Sequence, residues 1–211
     1  MLLALDVDGV VLDLDAHYGA IARHLYGASL SDPSAWDMRR RYGLSHAETT
    51  EVWRRINDTG WQGVPVYDDV GHALGILQDS GCEIVFVSSF KPDYFAGRAD
   101  DLRRAGFNVD NGNLIACDPS RPKSDYLNGL GRIDWFVDDR AANLYDVAPH
   151  ADKLVYIDRG YREHGDDGLL SGLLSEGRLS VVGGLLHFCR DILPSAGVEP
   201  DVGLSSDGLG M

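Results

Sequence analysis

Cations are scarce in this sequence. Nineteen Lys and Arg stand against 33 Asp and Glu, a formal charge of −14. A non-specific nucleic-acid surface needs clustered cations, so no nucleic-acid polymer is expected as a partner. A small phosphorylated ligand held by a few local groups remains possible. Cysteine is as sparse: Cys82, Cys117 and Cys189 are odd in number and widely spaced, with no CxxC or HExxH pattern. Neither a disulfide framework nor a structural zinc site follows, and free buried thiols are expected. Long apolar runs are missing, so no membrane span and no membrane partner are expected. The run Met1-Leu2-Leu3-Ala4-Leu5 is short, lacks basic residues and meets Asp6 at once, unlike a secretory leader. A cytoplasmic location is the expectation. No internal repeat occurs and no GxGxxG follows the first strand. Gly129-Leu130-Gly131 lacks the third glycine and the position, which argues against a dinucleotide enzyme.

What is present is ordinary globular composition, 44% hydrophobic and 25% charged over 211 residues. At about 150 residues per domain, that length allows one to two domains. Leu2 to Val7 reads as a buried parallel strand. Tyr18, Ile21, Ala22 and Leu25 follow at helical spacing. Ser45-His46-Ala47-Glu48 fits a capping box, with Val52, Trp53 and Ile56 behind it. Residues 14 to 64 therefore read as helical, with no strong strand. Val70, Ala73, Leu74 and Leu77 predict another helix, stopped at Gly81. Further strands are predicted at Glu83 to Val87, Leu114 to Ala116, Ile133 to Val137 and Leu154 to Ile157. A helix opened by Pro92 runs through Leu102 and closes at Gly106. Another carries Leu144 and Val147, and Leu179, Val182, Leu186 and Cys189 predict a last one. Strands alternating with helices mean an α/β fold with a Rossmann-like parallel sheet. The segment 194 to 211, rich in Gly, Ser and Asp, reads as a flexible tail.

Acidic and hydroxyl residues recur just after the strands, where open α/β sheets bind ligands. Asp6-Val7-Asp8-Gly9 puts two carboxylates at one strand end, although DxDG alone also fits an ordinary strand-to-turn boundary. Ser88-Ser89 ends another strand and could donate to a phosphoryl oxygen. Lys123 precedes a helical stretch, where a lone lysine is most often solvated. Asp138-Asp139 ends a third strand. Adjacent carboxylates in a cleft often hold Mg²⁺, which prefers oxygen ligands. Unit charges about 4 Å apart at an effective dielectric of about 20 interact by about 4 kcal/mol. Four such acids can share a site with phosphate only if a divalent cation and a lysine are there too.

The set Leu5-Asp6-Val7-Asp8-Gly9-Val10, Phe86-Val87-Ser88-Ser89, Lys123 and Trp135-Phe136-Val137-Asp138-Asp139-Arg140, in this order, resembles the haloacid dehalogenase superfamily of phosphatases. The resemblance spans residues 2 to about 157. It implies that Asp6 attacks phosphorus and forms an aspartyl phosphate. Asp8 would protonate the leaving oxygen and then activate water. Ser88, with Ser89 beside it, would bind the phosphate, and Lys123 would neutralise it. Asp6, the Asp8 carbonyl and Asp139 would hold Mg²⁺, with Asp138 supporting them. An acid at position 8 favours ester hydrolysis over dehalogenation, which needs no leaving-group acid. The interval from Asp6 to Ser88 has room for a helical cap at 14–64, inserted into a core of 1–13 and 65–193. The interval from Ser88 to Lys123 is too short for a second large cap. The run Trp61 to Tyr67 and the second and fourth motifs look most like the 5′(3′)-deoxyribonucleotidase branch, although Phe90 stands where that branch often has proline.

The reading is thus a Mg²⁺-dependent phosphatase of a small phosphorylated metabolite, with a nucleoside monophosphate as one candidate. A non-catalytic phosphate-binding or regulatory protein on the same fold is the alternative; retention of both Asp6 and Asp8 weighs against it. A phospho-acceptor receiver domain fits poorly, because its acidic pair comes first and it has no helical insertion. Tyr18, Trp36, Trp53 and Trp61 could stack on a base or line an apolar pocket, but a small helical cap needs its own core, and that reading is the stronger. Arg39-Arg40-Arg41 could attract an anionic substrate, but such a run is usually a solvated face, and that is the expectation.

Overall fold

The computed structural model describes residues 1–193. The flexible tail expected at 194–211 lies outside the described residues. Six strands form one parallel sheet: β1 (Leu2–Leu5), β2 (Glu83–Ser89), β3 (Leu114–Cys117), β4 (Ile133–Asp138), β5 (Ala151–Ile157) and β6 (Leu179–Val182). Their order is β3-β2-β1-β4-β5-β6. The chain therefore winds outward from β1 in both directions, and the switch point lies at β1 between β2 and β4. Register places Leu5 beside Phe86 on one side and Val137 on the other.

The strands bury both faces, as a parallel sheet must. Leu3 and Leu5 enter one apolar layer with Phe86, Trp135 and Val137. Ala4 enters the other with Val85, Val87 and Phe136. Helices α4 (Val70–Ser80) and α5 (Phe95–Arg104) cover the first layer with the C-terminal turn α8 (Leu185–His187). Helices α6 (Ala141–Val147) and α7 (Asp166–Ser175) cover the second.

Residues 14–64 contain α1 (Leu14–Tyr26), α2 (Met38–Arg41) and α3 (His46–Asp58) and no named strand. Ser45 and Glu48 close the anticipated capping box. These helices gather their own apolar cluster of Tyr18, Ala22, Tyr42, Leu44, Val52 and Ile56. The two connectors joining this segment to the sheet run side by side: Asp13 N donates to Pro65 O at 2.7 Å and Tyr67 N to Val11 O at 3.2 Å. The return connector leans on α5, where a Cβ at Gly97 would fall 2.0 Å from Gly60 O. Buried Asp101 accepts from the backbone of Gly63 and Val64, each at 3.0 Å.

Two elements differ from the sequence reading. Leu179 to Val182 is not helical; it pairs with β5 as the edge strand. An i, i+3 pair of apolar residues in a four-residue run fits either element, and the free edge of β5 decides it. Helix α7 carries a leucine stripe that the sequence reading did not assign. Of the cysteines, Cys117 and Cys189 are buried, Cys82 is half-buried, and all are free thiols.

Candidate active site

The motif residues meet at the carboxyl ends of β1, β2 and β4. Asp6 follows β1 directly, and its backbone N–H donates to Val137 O at 2.8 Å, which fixes it beside β4. Asp138 is the last residue of β4, and Asp139 follows it. Asp6, Asp138 and Asp139 each bring one carboxylate oxygen within 4.8 Å of the others. Lys123 enters from a short 3₁₀ turn, Lys123–Tyr126. It is buried, not solvated, and its Nζ lies 2.7 Å from both Asp6 Oδ1 and Asp138 Oδ2.

Asp138 is saturated with donors. Besides Lys123 it accepts from Arg140 N at 2.9 Å, and Asn143 Nδ2 lies 3.1 Å from both its oxygens. Such an acid holds the lysine and the loop in place. Asp139 accepts from the Tyr161 hydroxyl at Oδ2. Among the described residues, no donor reaches Asp6 Oδ2 or Asp139 Oδ1. Gly9 makes room for this arrangement. Its φ is +81°, and a Cβ there would sit 1.9 Å from Asp139 Oδ2. Arg159 pins the same turn by donating from Nε to Gly9 O at 2.6 Å.

One lysine faces three buried carboxylates, and the protonation equilibria reflect that excess. Burial raises the Asp6 carboxyl well above its usual range; Lys123 opposes this, and Asp138, Asp139 and Asp8 reinforce it. Burial and then Asp138 push Asp139 up to about 7, against the pull of Tyr161 and Lys123. Burial disfavours the Lys123 cation, yet Asp138 and Asp6 outweigh it and push its pKa up. Burial and Asp139 keep Tyr161 a protonated donor.

An all-oxygen cluster with excess negative charge and two unengaged oxygens suits a hard divalent cation. Acids raised in the folded state stabilise it at low pH, and that contribution fades as pH rises through their folded values. In chelator, the melting temperature should therefore fall between pH 5 and pH 8. The limiting slope is about 1.4 kcal/mol per pH unit for each such group. A divalent cation should raise it more at pH 8 than at pH 5. A thermal-shift series across pH checks this; a gain independent of pH would contradict it.

The two predicted serines separate. Ser89 lines the cleft. Ser88 is wholly buried at the end of β2, and its Oγ has no partner among the described residues. Asp8 lines the cleft but stands outside the acidic cluster. Its Oδ1 accepts from Arg98 Nη2 on α5. Sequence reasoning missed Arg98, Asn143, Arg159 and Tyr161, since no local pattern marks a side chain whose partner is distant.

The cleft, of about 630 Å³, lies between the sheet and the helical segment. Trp53, Trp61 and Tyr94 line it as a ladder: Trp61 stacks between the other two, with 5.9 Å between centroids on each side. Tyr18 is a core residue of the cap as expected; Trp53 and Trp61 pack against that core and also line the cleft, as does the exposed Trp36. Arg41 also departs from the expected solvated face. It is buried and paired with Asp15 at 2.7 Å.

Solved structures with this fold are haloacid dehalogenase-like. A conserved haloacid dehalogenase-like protein of unknown function from Agrobacterium tumefaciens matches with a TM-score of 0.58 at 12% identity, over 89% of this chain and 95% of its own. L-2-haloacid dehalogenase from Xanthobacter autotrophicus matches with 0.52 at 14%, over 90% and 98%. A predicted phosphoglycolate phosphatase from Haemophilus somnus matches with 0.50 at 15%, over 77% and 87%. The chain thus has the haloacid dehalogenase-like fold. No family model and no curated protein matches the sequence. Among the described residues no helix is long and apolar enough to cross a membrane.

Proposed function

We propose that this protein is a Mg²⁺-dependent phosphatase of small phosphate monoesters, working through an aspartyl phosphate on Asp6. The observation that carries this is Asp6 at the switch point of the sheet, paired with buried Lys123 and flanked by Asp138 and Asp139. A carboxylate oxygen of Asp6 attacks phosphorus as the bond to the leaving oxygen breaks. Asp8 gives that oxygen its proton. Water then attacks phosphorus, Asp8 takes the water's proton, and inorganic phosphate leaves with Asp6 restored. Lys123 offsets negative charge on Asp6 and on the phosphoryl group, and Ser89, which lines the cleft, donates to a phosphoryl oxygen. Asp6, Asp139 and the Asp8 carbonyl would hold the cation, which when bound supplies positive charge against phosphate and carboxylates. Asp138 is placed to support this set from behind.

The helical segment 14–64 serves as the cap, covering the cleft. The aromatic ladder of Trp53, Trp61 and Tyr94 supports a substrate with a flat ring, and a nucleoside monophosphate combines such a ring with a phosphate. Halide departure from a 2-haloacid would also begin with attack by Asp6. Asp8 argues for an ester, because a halide leaves without a proton.

The test is phosphate release from p-nitrophenyl phosphate, nucleoside monophosphates and sugar phosphates, with Mg²⁺ and with chelator, beside halide release from 2-haloacids. Ester turnover that chelator abolishes, with nucleoside monophosphates foremost, is the expected result. Halide release alone would reassign the nucleophile to dehalogenation. Phosphate bound but never hydrolysed would favour a binding protein.

A further inference from the structure

Arg98 is a wholly buried cation on α5, three residues before Asp101. Its Nη2 donates to Asp8 Oδ1, while Nε and Nη1 have no partner among the described residues. Burying a guanidinium is costly unless something opposite in charge holds it. Here two groups do: the Asp8 carboxylate and the face of Trp61, whose centroid lies 5.3 Å from the guanidinium carbon. Trp61 has a left-handed backbone, φ 61°, unusual for a residue with a side chain. That conformation turns its indole into the ladder above Arg98.

We infer that Arg98 is the positioning residue of the site. It anchors Asp8 by one oxygen so that the other, Oδ2, carries the proton exchanged with the leaving group and the water. This rests on the phosphatase reading. The geometry serves both states of the acid. Ionised, Asp8 accepts from Arg98 through Oδ1 as a carboxylate. Protonated on Oδ2, it still offers Oδ1 as a carbonyl acceptor, so the bond to Arg98 survives each proton transfer. Arg98 does not line the cleft, so it acts through Asp8 and not on substrate.

The same helix ties this anchor to the cap. Gly97 packs against Gly60, and Asp101 holds the backbone of Gly63 and Val64. The return connector of the cap, the indole of Trp61 and the carboxylate of Asp8 are thus held by adjacent turns of α5. Asp8 is thereby kept in register with the wall that receives the organic part of the substrate.

The test compares kcat/KM for two esters, because that ratio reads the step in which the leaving group departs. The 2,4-dinitrophenyl ester leaves without a proton; an alkyl phosphate does not. Arg98→Gln should lose about 100-fold on the alkyl ester and less than about 3-fold on the dinitrophenyl ester, the selectivity of Asp8→Asn. The double variant Asp8→Asn/Arg98→Gln should be no worse than Asp8→Asn alone. Equal losses on both esters, or additive losses in the double variant, would overturn the inference while leaving the phosphatase intact. Wild type inert on both esters would overturn the phosphatase reading and this inference together. Should Arg98→Gln not fold, Arg98→Lys is read in the same way. It keeps the charge but has one donor group at a different reach, so it should lower the alkyl ester about 10-fold more than the aryl ester. An unchanged ratio would overturn the assignment.

Discussion

Asp6→Asn is expected to lose turnover by about 10⁴-fold or more and to melt no lower than the wild type. The loss follows from chemistry: an amide is a poor nucleophile toward phosphorus and cannot carry the phosphoryl group as a mixed anhydride. Four decades correspond to about 5.5 kcal/mol of transition-state stabilisation. The retained stability follows from electrostatics. Asp6 is buried beside Asp138 and Asp139, and its carboxyl is raised well above the usual range, so its ionised form is held against a gradient. Replacing it by an isosteric neutral amide removes one of the crowded charges. The gain should be larger at pH 8 than at pH 5, because Asp139, pushed up to about 7, is largely protonated near pH 5 and then crowds Asp6 less. Steady-state turnover and a melting curve from one preparation measure both halves. Retention of more than about 1% activity would remove Asp6 as nucleophile. A sharp fall in melting temperature would mean that the Asp6–Lys123 pair holds the fold and not only the site.

Lys123→Met should have the opposite stability signature. It removes a cation 2.7 Å from both Asp6 and Asp138 and leaves the charge of those carboxylates without it. Breaking a buried pair from one side costs about 3–5 kcal/mol, or about 10 °C in a chain of this size. The Lys123 pKa is raised, so its contribution is fully present across the neutral range and would be lost only in strong alkali. The deficit of the variant should shrink as pH falls through about 7, where Asp139 takes up a proton. Turnover should fall about 10³-fold, since the phosphoryl group then meets Asp6 without its nearest counter-charge. Adding Asp6→Asn to Lys123→Met should restore part of the melting temperature, because the two groups share one interaction. Strict additivity in that cycle, read by thermal unfolding at pH 8, would count against the buried pair as the organising contact of the site.

The motif order along the chain predicted the acidic cluster because each motif sits where a strand ends. Strand ends are legible from local pattern: short apolar runs broken by Asp, Ser or Gly. The register of β1 between β2 and β4 then brings those ends together. The capping box at Ser45, the stop at Gly81 and the helix opened by Pro92 were equally local, set by backbone groups within a turn of the residue concerned. Leu179 to Val182 shows the limit. Four residues carry too little periodicity to separate strand from helix, and the decision came from the open edge of β5.

By itself, then, the sequence determined the α/β alternation, the strand ends that carry Asp6, Ser88, Ser89, Asp138 and Asp139, and the apolar periodicity of the helices. All of these are properties of residues close in the chain. Only the tertiary structure decided that Lys123 is buried between two acids, that Arg41 is paired and not solvated, and that Trp53, Trp61 and Tyr94 stack along the cleft. It alone decided that Arg98 reaches Asp8 across 90 residues of chain. The reason is physical: a charge or an aromatic ring takes its state from whatever lies within a few ångströms, and that neighbourhood is assembled from segments distant in sequence.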